Sequence, residues 1–184
     1  TGAFLLTVSL AAPALSQTPM AETEAAYAKL KEAEGKKDPD AVLEWAQKTS
    51  DAARKVVAAP KPEKAEDAEQ WKREYDYAQQ VDVYTEYSQF AMAVQGQPAA
   101  KVVALVESIE KRNPKSQYLS QVYPVYLVAL NDSGQAAKIV TVAENRLPND
   151  PASEDLLLVL ANSYMAQSNK AKARGFSRRF GPAC

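Results

Sequence analysis

The chain holds 184 residues, 46% hydrophobic and 24% charged, enough for one domain with a core of its own. A formal net charge of −1 gives no overall field for nucleic acid or an acidic membrane surface. There is no histidine, and the single cysteine is Cys184. That composition excludes Ser–His and Cys–His nucleophiles, His/Cys metal clusters and an intramolecular disulfide.

Residues 1–17, TGAFLLTVSLAAPALSQ, carry no charge. An apolar run over 3–10, followed by small residues at Ala12, Ala14 and Ser16, has the pattern of a secretory signal peptide without its charged start. Cleavage is expected after Ala14 or Ser16. The run is too short for a membrane span of about 20 apolar residues. The other arrangement, a buried amino-terminal helix, is interrupted by Pro13. No cysteine follows the small residues, so a lipoprotein anchor at this place is excluded.

Residues 21–34 read as a first helix with a thin apolar face of Ala25, Leu30 and Ala33, ended by Gly35. Asp38 and Pro39 suit the N-cap and first position of a second helix, running to about Ala59. Its stripe is Val42, Leu43, Ala46, Ala53, Val56 and Val57, with Trp45 packed beside it. Pro60 and Pro62 stop it. Residues 63–95 contain neither proline nor glycine and predict a long helical stretch, either bent or shared between two repeats, rich in aromatics, among them Trp71, Tyr75, Tyr77, Tyr84, Tyr87 and Phe90. A further helix is expected over 99–112, with Val102, Val103, Val106 and Ile109 inward.

Residues 114–148 contain two apolar-periodic segments, 118–130 and 135–147. They are split by Asn131-Asp132-Ser133-Gly134, where glycine can take a positive φ. The flanking prolines, Pro114 and Pro148, lie 34 residues apart. Ala136, Val140 and Ala143 stand on the second segment ahead of Pro148. In period, in these positions and in the closing proline, the segment resembles a tetratricopeptide repeat. It departs from that family at Ser120 and Pro124, where tryptophan and glycine are usual. The same frame extends back to about Val83 and forward to about Gln167, with a helix over 152–166; residues 21–80 match only as helical hairpins.

From Lys170 the pattern fails. Residues 170–184 hold five basic residues, no acid, two glycines and a proline, and are expected to be an irregular basic tail. The other residues then hold 17 basic and 23 acidic side chains, a body of net charge −6 (17 − 23).

The expected fold is therefore all-α, an antiparallel helix-hairpin array without a β-sheet, with residues 1–17 as signal peptide, 18–169 as the repeat domain and 170–184 as the tail. The resemblance implies a non-enzymatic scaffold that binds a protein or peptide on the first helix of each unit. It implies no cofactor and no metal. The groove positions it gives are Tyr84, Tyr87 and Ala91, then Tyr118, Gln121, Val125 and Val128, then Ala152, Asp155, Val159 and Asn162. The tyrosines fit two arrangements, lining the groove or packing between neighbouring helices. The Lys/Asn pattern with which some family members clamp a terminal carboxylate is missing. With the leader of 1–17, the expected location is periplasmic or secreted, with no stable membrane insertion after cleavage and no nucleic-acid partner. A structural or assembly subunit of a cell-envelope complex is the alternative function.

Overall fold

The computed structural model describes residues 18–178; the expected signal peptide and the last part of the basic tail lie outside them. The described residues form eight helices and no strand. These are α1 (Pro19–Lys36), α2 (Pro39–Val57), α3 (Ala65–Ala93), α4 (Ala99–Arg112), α5 (Leu119–Asp132), α6 (Ala137–Arg146), α7 (Glu154–Ala166) and α8 (Lys170–Ser177).

Local signals explain most boundaries. Asp38 caps α2 by accepting from the backbone N–H groups of Asp40 (3.0 Å) and Ala41 (3.1 Å), and Pro39 starts the helix. Gly134 takes φ 75° between α5 and α6, and the next N–H, of Gln135, donates back to the Leu130 carbonyl at 2.7 Å. Gly35 does not end α1. The helix runs through it to Lys36, and Lys37 occupies the left-handed position at φ 53°, donating its N–H to the last turn. On α1 Leu30 and Ala33 are buried as expected, but the third buried apolar residue is Ala26, one position on from the expected Ala25, which is exposed.

The end of the chain also differs from expectation. Instead of an irregular tail from 170, α8 forms over Lys170–Ser177, capped by Asn169, whose side chain accepts from the Lys172 N–H at 3.3 Å. Its fixing contacts lie outside its own sequence. Ala173 is buried, the Phe176 and Tyr164 rings stack 5.8 Å apart, and Lys172 sits 4.6 Å over the Tyr164 ring.

Each helix packs on its neighbour in sequence, and α1 on α3, α2 on α4 and α3 on α5 pack as well. One core runs from Leu30 to Ala173 and draws on every helix. A smaller cluster of Ala53, Val56, Ala78 and Val81 joins α2 to α3, with Tyr27 packed against both.

Polar groups cross-link α2, α3 and α4. Ser50 donates to Asp82, which also accepts from Arg54 at 3.0 Å. The Arg112 guanidinium, mostly buried, donates to Ser50 (2.9 Å), Asp51 (3.0 Å) and the Gln47 carbonyl (3.2 Å). Replacing Arg112 by Ala leaves Ser50 and the Gln47 carbonyl without these donors. It is expected to lower unfolding free energy by about 2 kcal/mol in denaturant titration. Ala143 on α6 is fully buried in the core, so Ala143→Phe must overpack it and should cost about 1–3 kcal/mol in the same measurement.

Candidate functional site

α3 is the helix from which the site is built. Its buried residues include Thr85, Glu86, Ser88 and Gln89, while Val83 and Tyr87 stand outside, with Val94 exposed at its C-cap. Partners reach Glu86 and Thr85, while Ser88 Oγ and Gln89 Oε1 meet none among the described residues. Asn113 donates to Glu86 at 3.0 Å, and Thr85 donates to the Asp82 carbonyl at 2.6 Å. The side of α3 left outside carries Val83 and Tyr87 together with polar residues such as Lys72, Gln79 and Gln80.

Five rings form a row across this side. Tyr27 of α1 meets Tyr84 edge-on at 5.5 Å. Tyr84 meets Tyr87 at 5.7 Å, and Tyr87 meets Tyr118, the residue that opens α5, at 5.8 Å. Tyr118 also stacks on Phe90 at 5.4 Å. The structure thus brings together Tyr84, Tyr87 and Tyr118, but it does not make them equivalent. Tyr84 is half-buried under Lys31, whose ammonium lies 4.7 Å from the ring centre. Its hydroxyl accepts from Lys31 at 2.5 Å and donates to Glu34 at 3.0 Å. Burial pushes the Tyr84 hydroxyl above its ordinary pKa, Lys31 works against that shift and Glu34 with it. Tyr84 is a strut between α1 and α3. Tyr118 is half-buried on Phe90, and Tyr87 is 44% exposed.

The other expected positions fall on exposed helix faces. Gln121 and Val125 are exposed on α5, as are Asp155 and Asn162 on α7. Ala91 and Val159 are half-buried, and Ala152 lies in the turn before α7 rather than on it. Val128 is 61% exposed on the same stripe of α5 as Gln121 and Val125. Sequence reasoning missed Leu158 (51% exposed) and Met165 (55%) on α7. Their spacing to Asp155 and Asn162 (155, 158, 162, 165) was the available signal, since it places all four on one helix face.

Among the described residues, every large apolar side chain that is exposed lies on α3 or its C-cap, α5 or α7: Val83, Tyr87, Val94, Val125, Val128, Leu158 and Met165. On α3 the basic residues, Lys72 and Arg73, lie ahead of the stretch that carries these side chains. Residues 81–97, α5 and α7 contain no lysine or arginine.

Elsewhere, a cleft of about 490 Å³ between α1 and α2 has an alanine floor and a Trp45 wall. Its lysines are already engaged, Lys29 with Glu32, Lys48 with Glu44 and Lys55 with Glu22. No group of His, Cys, Asp or Glu suited to a metal ion occurs among the described residues, and no described helix is long and apolar enough to cross a membrane.

No family model matches the chain, and comparison with curated proteins and with solved structures gave no match either.

The unequal burial of the tyrosines separates their roles. Tyr84→Ala removes the ring that Lys31, Glu34 and Tyr27 hold, and is expected to cost about 3 kcal/mol of unfolding free energy. Tyr87→Ala, at an exposed position, should stay within about 1 kcal/mol of the parent. Unfolding midpoints of the two variants check the assignment.

Proposed function

We propose that this chain is a non-enzymatic protein-binding scaffold built as an array of antiparallel hairpins of tetratricopeptide type. The units are α1–α2, α3–α4, α5–α6 and α7–α8, and the first helices of the last three line the binding face. The observation that carries this reading is the confinement of exposed large apolar side chains to α3, α5 and α7 and the C-cap of α3. Scattered apolar residues are ordinary on any surface; residues restricted to alternate helices need a cause, and a partner that covers them is one. In the first half of the array helices also pack on their next-but-one neighbours, α1 on α3, α2 on α4 and α3 on α5, which suits stacked hairpins there; α5 and α7 show no comparable packing. The ring row ending at Tyr87 and Tyr118 supplies large, rigid contact area at low entropic cost.

The proposed location is the periplasm or the cell exterior, on the strength of residues 1–17 alone. The same face held permanently against a neighbour in a cell-envelope complex is the second reading. It is favoured by the number of aliphatic side chains left in water on α5 and α7.

Retention of envelope proteins on the immobilised chain is the test, with Tyr87→Ala and Val128→Gln as variants. Each should weaken retention, Tyr87→Ala by about 2 kcal/mol or more in affinity if Tyr87 is central, at an unchanged unfolding midpoint. Retention lost only when residues 170–184 are deleted would refute the face. A partner that co-purifies at fixed stoichiometry and resists dilution would select the second reading.

A further inference from the structure

We propose that the occupant of the α3–α5–α7 face is an amphipathic basic peptide: a segment with an apolar side and lysine or arginine beside it. This rests on the reading of α3, α5 and α7 as one binding face, and names the chemistry of what that face takes.

The argument is charge segregation. Over residues 81–178, the basic side chains are Lys101, Lys111 and Arg112 on α4, Lys115 after it, Lys138 and Arg146 on α6, and Lys170, Lys172, Arg174 and Arg178 on α8 and its cap. None stands on α5, α7 or residues 81–97. The acids of these stretches divide into two sets. Asp82 and Glu86 turn inward and are used, by Ser50 and Arg54 and by Asn113. Asp132, Glu154 and Asp155 are exposed and make no ion pair among the described residues. Surface carboxylates on the neighbouring even helices do, Glu107 with Lys138 and Glu144 with Lys172.

The face thus offers Tyr87, Val125, Val128, Leu158 and Met165 for apolar contact, flanked by unpaired negative charge. A cationic amphipathic segment satisfies both. An acidic segment would meet carboxylates with no counter-charge, and a second copy of the same face would set acid against acid.

The test uses the full chain and four fluorescent peptides of one design, about five helical turns long. Three share a leucine stripe and differ in the polar positions, which are lysine, glutamine or glutamate. The fourth carries lysine but has serine in place of leucine. By anisotropy, the Lys/Leu peptide should bind about tenfold tighter than the Gln/Leu peptide, the contribution expected of two or three exposed ion pairs. The Glu/Leu and Lys/Ser peptides should bind weakest. E154Q with D155N should remove the advantage of lysine over glutamine while the unfolding midpoint is kept. V128Q with L158Q should weaken all three leucine peptides together.

Failure takes distinguishable forms. If the three leucine peptides bind equally and V128Q/L158Q weakens them all, the face binds but the charge preference is wrong. If the Lys/Ser peptide binds as tightly as the Lys/Leu peptide, attraction to the acidic body explains binding and the proposal falls. If no leucine peptide binds, or V128Q/L158Q changes nothing, the face itself is misassigned.

Discussion

α3 buries a side that is half polar. Thr85, Glu86, Ser88 and Gln89 are removed from water together with Ala78, Val81, Met92 and Ala93. A buried polar group without a partner costs about 1–3 kcal/mol. Thr85 and the Gln89 amide donate to carbonyls of α3 itself, Ser88 Oγ and Gln89 Oε1 meet no partner among the described residues, and the carboxylates of α3 are met by neighbours from both sides in sequence. Asp82, at the edge of the buried side, is held by Ser50 and Arg54 of α2, while Glu86 accepts from Asn113 at the end of α4. Arg112 closes the set by tying α4 to Ser50, Asp51 and the Gln47 carbonyl of α2. The position of α3 between α2 and α4 is thus held by polar pairing as well as by packing, and α1 and α5 pack on it too.

The same arrangement determines what the protein shows to its surroundings. Orienting α3 by its polar side leaves Val83 and Tyr87 outside. On α5 the logic is simpler. The helix is apolar nearly all round, so Leu119, Val122, Tyr123, Tyr126 and Leu130 fill the core and Val125 and Val128 remain. Where polar groups are buried there, they are paired: Tyr123 donates to Glu110 across the α4–α5 contact. Burial raises the pKa of the Glu110 carboxyl, with the Tyr123 hydroxyl and Arg146 opposing. Ionising Glu110 is therefore less favourable in the folded chain than in the unfolded one. Its contribution to stability is fully present below the ordinary carboxylate pKa and is lost as pH rises through the raised one.

How much of this was legible in the sequence varied with the range of the determining interaction. α4 reads residue for residue, because Pro98 and Asn113-Pro114 bracket it and its valines keep helical spacing. The end of α1 does not: a left-handed lysine, Lys37, closes the helix where glycine two positions earlier was the sequence signal. α8 was hidden for a different reason. Its helical state depends on Ala173 entering the core and on Phe176 stacking against Tyr164 of α7, contacts that no local pattern announces. At the candidate site, the 34-residue spacing of Tyr84 and Tyr118 was visible and the rings do belong to one row. That Tyr84 is a strut was not visible, since Lys31 and Glu34 come from a helix some 50 residues earlier.

The segregation of charge between alternate helices bears on why the outward apolar residues are there at all. A helix that needs solubility alone meets that need with lysine and glutamate on its outer face, as α1 does with Lys29, Glu32 and Lys36. α5 and α7 place valine, leucine and methionine at such positions and admit no basic residue. Exposed side chains of this kind add little to folding stability, because they are not withdrawn from water, and they favour association. Neither core packing nor solubility accounts for them, whereas α4, α6 and α8, which take up the lysines and arginines, keep their large apolar residues covered. In this half of the chain the division is between α4, α6 and α8, which carry the basic residues, and α5 and α7, which carry exposed apolar residues and no positive charge; the proposed partner face would account for it.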